Sequence, residues 1–546
     1  MTGDATEVAY WRERAVRAED EKAVLVERLA VAETRIGQLG EQVAVLSRML
    51  FGRSSERTAA DLPADPGDDG GAGKPDGPGG AGAGEGCETD KPKRGQRPGS
   101  KGHGRRDYSG LRTREEIHDV PAGARVCQGC GCPLEVLGSE CSEQIDWQVT
   151  ITRIVHRRMR YRRRCGCPGP RTVIAPVAPN PIRRGRFTAA FLARLLYQKY
   201  VLGLPVHRIA KALAAEGLDL AEGTLSGALK ALAGLLKPLG EAIVARNAAA
   251  AHVHADETSW RVYEKTEGKD GHRWWLWVFI AQDTVVFRMD PTRSTSVLET
   301  HFGIDRDDRS LPEGRRLVLS TDFYSAYQCL ARIEGVDPLW CWAHLRRYFI
   351  RAGDADPQLR YWRDQWVARI GDLYLAHRAM AAASPGTAEY TQAQGAFEQA
   401  LGVIDTVRRE QMRSPGLRPA GKKVLATLQR EWEGLTRHRD FPDLDLDNNQ
   451  SERALRGPVV GRKNYYGSHA EWSAHLAASV WTISATAERN HHEPLSYLTG
   501  YLDACAANGG KPPEAAALQR FLPWNHNPNN STSSPDADPP KITNTS

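Results

Sequence analysis

Three acids, Asp256, Asp322 and Glu452, stand where carboxylates could serve phosphoryl transfer. Asp256 ends one strand-like run (HVHADETSWRVYE) and Asp322 ends another (RRLVLSTD), and in a mixed sheet of this order those strands can be neighbours. Glu452 begins a helix just after Asp447-Asn448-Asn449, where Asn448 or Asn449 could cap it. Three acids converging in one place repel strongly unless cations sit between them. Hard divalent ions, Mg²⁺ or Mn²⁺, bind such oxygen clusters. Two ions about 3.5–4 Å apart can activate a water or a 3′-hydroxyl and stabilise the leaving oxygen. Singly, none of the three is distinctive; their surroundings make them so. Glu257, Asp443 and Asp447 are rival carboxylates. Strand alternation turns Glu257 away from the Asp256 face, and Asp447 suits a helix cap, so both rank below the three.

A second chemistry lies in the cysteines, six of which fall between Cys127 and Cys167. Cys127-x-x-Cys130 has knuckle spacing, and Cys165 with Cys167 forms a return pair about 35 residues on. Four thiolates would close a tetrahedral structural Zn²⁺ site, with Cys132 or Cys141 as substitutes for one ligand of the C-x-C pair. Cys341-x-x-His344 could be half a metal site, but no second pair accompanies it, and packing and orientation suit it better.

These residues need elements to hold them. Residues 1–56 read as a coiled-coil helix: from Val8 to Leu50 apolar positions alternate in three- and four-residue steps, a seam for self-association. Residues 57–95 are a Gly-, Asp- and Pro-rich linker expected to be disordered. A zinc-finger-like region follows at 96–180, including a basic arm and a stretch of seven arginines from Arg153 to Arg164. Residues 181–248 read as helical, with two helices around a Gly-containing turn in the manner of a helix-turn-helix. From 249 to 354 three strand runs are followed by helix, strand, helix and the strand run PLWCWAHL, a mixed α/β sheet covered by helices. A helical insertion at 355–442, the Glu452 helix and further helices to 505, and a C-terminal segment at 506–546 with a disordered tail complete the chain.

Several motifs stand in order here: FGRSSER at 51–57, GQRPGSKGHGR at 95–105, the cysteine cluster, HADET at 254–258, TDFYSAY at 321–327, CWAHLRR at 341–347, and DNNQSERALR through GRKNYY at 447–466. With them the sequence resembles the insertion sequence 66 family of DDE transposases from about 24 to 505. The resemblance implies a multidomain α+β chain whose RNase H-like mixed α/β catalytic core carries Asp256, Asp322 and Glu452 as the acidic triad. Asp322 lies 66 residues after Asp256 and Glu452 130 after Asp322, so the resemblance makes 355–440 an insertion before the Glu helix. It also implies helper proteins from the same element.

Net charge is only +6, yet the acidic tract at 61–90 hides a basic remainder, the footprint of nucleic-acid binding. Arg453, Arg456, Arg462 and Lys463 flank Glu452, with Tyr465 and Tyr466 behind them, and suit contact with a DNA strand. No apolar stretch is long enough to span a membrane and no signal pattern opens the chain, so a cytoplasmic protein is expected. The expected activity is binding of terminal inverted repeats, metal-dependent strand cleavage and transfer to target DNA. The alternatives are a catalytically inactive transposase descendant that only binds DNA, and a structure-selective nuclease.

Overall fold

The computed structural model describes residues 149–526 apart from 163, 166–171, 266–270 and 306, with scattered positions between 113 and 145. The coiled-coil seam, the linker, the tail beyond 526, and Cys127, Cys141 and Cys167 lie outside the described residues. The chain divides into two compact units, residues 56–148 and the remainder. In the first, the Leu134 amide donates to the Arg125 carbonyl at 2.8 Å.

The second unit includes an exposed antiparallel pair, β1 (Arg160–Arg162) and β2 (Thr172–Ile174), so only three residues of the arginine-rich run before Cys165 are described as strand. Helix α1 (Ala189–Leu196) runs on through a π turn at Tyr197–Val201. Then come α2 (Val206–Ala215) and α3 (Glu222–Ala248), the two expected helices, with Gly217 at φ 84° in the turn between them. Leu225, Leu232, Leu236, Leu239 and Ile243 recur every three to seven residues along α3 and are fully buried. They join the same core as the sheet residues that follow, so the helical region shares its interior with the α/β region.

Five strands form that sheet: β3 (His252–Arg261), β4 (Arg273–Ile280), β5 (Val285–Asp290), β6 (Leu317–Thr321) and β7 (Val336–Trp340). Their spatial order is β5-β4-β3-β6-β7. The first three form an antiparallel meander; β6 and β7 join parallel to β3 through the crossover helices α4 (Thr295–Phe302) and α5 (Ser325–Leu330). The sequence reading differs at two points. Asp256 lies in the middle of β3 rather than at its end. The run PLWCWAHL is a strand only to Trp340, because α6 (Trp342–Ala355) starts two residues later.

The stretch before the Glu452 helix is helical: α7 (Arg360–Ala382), α8 (Ala388–Arg413), α9 (Pro419–Arg430) and α10 (Trp432–Thr436). It returns to the sheet at Gly434, where any Cβ would stand 2.4 Å from the Trp340 ring. The Trp342 indole donates to the Leu435 carbonyl at 2.8 Å beside it. Four helices follow: α11 (Asn449–Tyr465), α12 (Glu471–Arg489), α13 (Pro494–Ala507) and the short α14 (Ala515–Gln519). Order continues past 505, since the Tyr497 hydroxyl donates to the Phe521 carbonyl and Leu522 is buried.

Strand β5 is an edge whose outward backbone groups need partners. Helix α12 supplies them. The Val285 and Phe287 amides donate to the Thr486 and Thr482 hydroxyls at 3.1 and 2.8 Å, and the same hydroxyls donate to the Val285 and Phe287 carbonyls. Replacing both threonines with isosteric valine leaves buried amides unpaired, at about 1–3 kcal/mol each. Thr482→Val/Thr486→Val should therefore lower the thermal midpoint by several degrees; a midpoint equal to the parent's would remove this role from the hydroxyls.

Candidate active site

Parallel pairing of β3 with β6 sets His252 against Val318, Val253 against Leu319 and His254 against Ser320. Carried two residues further, the same offset brings Asp256 level with Asp322, which lies just beyond β6. Both are half-buried. Asp322 Oδ1 accepts from the Tyr324 amide at 2.9 Å, which fixes the turn after the strand. Alternation places His252, His254 and Asp256 on one face of β3.

Helix α11 lies over that face, fastened at both ends. At its start, the buried Asn448 side chain donates from Nδ2 to the Ala255 carbonyl at 2.7 Å. Its Oδ1 lies 3.1 Å from His254 Nδ1 and accepts from the Ser451 hydroxyl at 3.0 Å. Asn448 therefore spends its side chain on the strand, and it is Asp447 Oδ1 that accepts from the Asn449 amide, at 3.0 Å. At the far end Tyr466 turns left-handed (φ 64°). Gly467 follows at φ 128°, where a Cβ would meet the Arg261 carbonyl at 2.4 Å. Ser468 then donates its amide to that carbonyl at 2.8 Å and accepts from the Trp260 indole at 3.1 Å.

Glu452, half-buried in the first turns of α11, directs Oε1 toward Arg347 Nη2 at 3.3 Å and His344 Nε2 at 3.5 Å. The Cys341-x-x-His344 motif thus brackets this helix. Cys341 Sγ accepts from the Asn448 amide at 3.2 Å, and burial pushes its thiol up to about 12. His344 is held below its ordinary value by burial and by Arg347, against the pull of Asp322 and Glu452.

The acids feel one another. Burial first, then Glu257, Asp322 and Glu452, raises the Asp256 carboxyl well above its ordinary value, against one backbone hydrogen bond that lowers it. Glu257 faces the other way, as alternation requires. It is buried; its carboxylate accepts from the Tyr327 hydroxyl and from Arg293 Nε at 2.8 Å. The Arg293 guanidinium lies 3.7 Å from the centre of the Tyr324 ring, and the Tyr324 hydroxyl donates to the Arg293 carbonyl at 2.7 Å. Arg293 therefore ties the Asp256 strand to the Asp322 turn. Sequence reasoning missed this: a carboxylate beside Asp256 on an inward face demands a partner, but only the fold identifies which one.

Among the described residues, no group of three or more His, Cys, Asp and Glu side chains is gathered closely enough to hold a metal ion. Asp256 and Asp322 stand level while Glu452 is turned to Arg347 and His344. Of the expected DNA contacts, Arg453, Arg456 and Lys463 are exposed. Arg462 instead folds back, donating to the Thr258 hydroxyl at 3.3 Å and to the Ser259 carbonyl. Asp443 is exposed in the preceding turn. Cys130, Cys132 and Cys165 are exposed. Among the described residues no helix is long and apolar enough to cross a membrane.

A mixed five-stranded sheet with Asp256 level with Asp322, covered by helices, defines a mixed α/β protein. Residues 184–476 match the family described as "Transposase IS66 family", over half of the chain, and the chain belongs to that family. Relatives from Sinorhizobium fredii include the uncharacterized protein y4qI, 28% identical over 460 residues (80% of this chain, 79% of the relative), and y4hP, 23% identical over 436 residues (75% of each). A crystal structure of the Mos1 strand transfer complex matches at 14% identity, 41% of this chain and 78% of that one, with a TM-score of 0.12, at which it carries no weight.

Two substitutions test this geometry. Because folding raises the Asp256 pKa, its charged form costs stability above the ordinary carboxylate range and costs nothing well below it, where the group is protonated folded or unfolded. Asp256→Asn should thus raise the thermal midpoint at pH 7, with the gain shrinking as pH falls through the ordinary carboxylate range and gone below it. Asn448→Asp removes the donor to Ala255 and adds a buried charge near Asp256; a loss of about 2 kcal/mol or more in thermal or urea unfolding is expected.

Proposed function

We propose that this protein is a DDE transposase with an RNase H-like catalytic core, in which Asp256, Asp322 and Glu452 together hold two Mg²⁺ or Mn²⁺ ions. The observation that carries this reading is the β3–β6 register, which sets Asp256 level with Asp322 on the strand face to which Asn448 fastens the start of the Glu452 helix. An all-oxygen donor set fits hard divalent ions, with Glu452 exchanging its contacts to Arg347 and His344 for the ion. Bound there, such ions would supply Lewis acidity to the attacking and leaving oxygens.

The chain's own residues do the rest. The strands fix Asp256 and Asp322, and the Tyr324 amide orients the latter. Asn448 and Ser468 hold α11 so that Glu452 stays over the same face. Arg347 and His344, now against Glu452, suit a non-bridging phosphate oxygen when a DNA strand enters. Arg453, Arg456 and Lys463 project from the same helix toward solvent, where phosphate contacts position DNA without reading bases.

In the first step a water oxygen bonds to phosphorus at the element end and the P–O3′ bond breaks, leaving a 3′-hydroxyl. In the second, that hydroxyl attacks a target phosphodiester and displaces its 3′ oxygen. The zinc-finger-like region, with Cys127, Cys130, Cys165 and Cys167 on Zn²⁺, and the α2–α3 pair would grip the terminal inverted repeats. The N-terminal coiled coil would pair two copies, in the cytoplasm, with helper proteins of the same element.

The test uses terminal-repeat duplexes with the full chain. Mn²⁺-dependent nicking is expected from the parent. Asp322→Asn and Glu452→Gln should nick at least 100-fold more slowly and weaken Mn²⁺ binding in calorimetry at least tenfold, with repeat binding within threefold of the parent. Variants that nick as the parent does would rule out this triad. A parent that binds repeats yet never nicks would be a DNA-binding descendant.

A further inference from the structure

The ribbon formed by β3 and β4 ends in a cleft of about 340 Å³ lined by Ser259, Trp260, Arg261, Tyr263, His272 and Arg273. That volume falls at the small end of ligand sites. Arg261 is paired directly opposite Arg273 in the β3–β4 register, and both are exposed. Like charges set directly across a ladder oppose folding. No acid lines the cleft among the described residues, and Glu264, just along the chain, turns its carboxylate to the Glu471 amide at 2.8 Å. Among the described residues the ribbon thus sets two arginines opposite each other without a counter-charge.

Aromatic rings stand beside them. Tyr263 is 38% exposed and its ring centre lies 5.9 Å from that of His272. Its hydroxyl donates to the Tyr466 carbonyl at 3.2 Å, which holds the ring in place, and the Tyr466 ring itself is exposed. Paired cations next to a fixed, accessible ring are the elements that bind a nucleotide of a DNA strand: guanidinium groups for the phosphate and a flat apolar surface for the base.

We propose that the Arg261–Arg273 cleft binds one nucleotide of a DNA strand, its phosphate between the two guanidinium groups and its base against the Tyr263 ring. The proposal rests on the transposase reading and adds a contact to it. Arg261 lies five residues beyond Asp256 on β3, about 17 Å at 3.3–3.4 Å per residue. At 3.4 Å per nucleotide step this is about five nucleotides along β3, to which the turn around the ribbon adds further steps. The cleft lies on the face of Ser259 and Tyr263, opposite the Asp256 face, so its occupant is a flanking nucleotide that has passed the ribbon and takes no part in the chemistry.

The full chain is tested with a terminal-repeat duplex carrying 2-aminopurine at successive positions from about five nucleotides outward from the nick. The parent should perturb the fluorescence at one of them. Arg261→Ala/Arg273→Ala should weaken DNA binding at least tenfold and reduce the slope of log affinity against log salt by about 1–2. Its thermal midpoint without DNA should equal or exceed the parent's, because a like-charge pair is gone. Tyr263→Ala should abolish the fluorescence change. Tyr263→Phe, which loses the bond to Tyr466 but keeps the ring, should preserve it.

An unchanged salt slope in the double variant would overturn the proposal, as would a fluorescence change that survives Tyr263→Ala. So would a fall in midpoint that accounts for the lost binding, or polyglutamate competing as well as DNA. Nicking is scored separately. A parent that nicks while the double variant keeps the parental slope sinks the cleft alone; a parent that does not nick sinks the transposase reading, while the binding readouts still judge the cleft.

Discussion

The side chain of Asn448 is the joint on which the site depends. Its amide nitrogen satisfies the Ala255 carbonyl on the strand before Asp256, its oxygen meets His254 and Ser451, and its own backbone amide reaches Cys341. One buried residue, through side chain and backbone, therefore joins β3, the start of α6 and the start of α11. A buried amide group whose nitrogen and oxygen both have partners has one orientation, because flipping it sets donor against donor and leaves polar atoms unpaired at a cost of a few kcal/mol. That requirement fixes where Glu452 begins its excursion from the strand of Asp256. The strap at Gly467 and Ser468 fixes the other end of the same helix. Two anchors make it a rigid rail laid along β3.

On the reverse face the Glu257–Arg293–Tyr324 group does for the two strands what Asn448 does for the helix. A buried glutamate would be costly alone, but here it accepts from Tyr327 and Arg293, and the guanidinium in turn sits on the ring beside the Asp322 turn. The site thus keeps two kinds of carboxylate on one strand. Glu257 is closed off by a guanidinium and a hydroxyl, whereas Asp256 is half-buried and makes no ion pair among the described residues.

Much of this could be read from sequence because its physics is local. Alternation along HVHADETSWR separates Asp256 from Glu257, Leu spacing marks α3, and the succession of strands places β3 beside β6. Other features are non-local and could not be read that way. Asn448 looked like a helix cap, since Asn commonly caps, but its partner is 193 residues away. Arg462 looked like one of a basic cluster, yet it closes onto Ser259. Asp256 seemed to end a strand because β3 outruns β6, a mismatch of lengths that no single run discloses. The start of α6 was hidden in an apolar stretch that serves as strand and then as helix. The proposed Zn²⁺ ligands Cys127 and Cys167 fall outside the described residues.

The Ser468 strap has a temporal consequence. It closes on the Trp260 and Arg261 strand only after some two hundred intervening residues, including the whole helical insertion, have been made. At roughly 5–20 residues per second during synthesis, the strand would wait about ten to forty seconds for its rail. Until then Trp260 lacks the Tyr465 and Trp481 rings that pack against it in the finished fold.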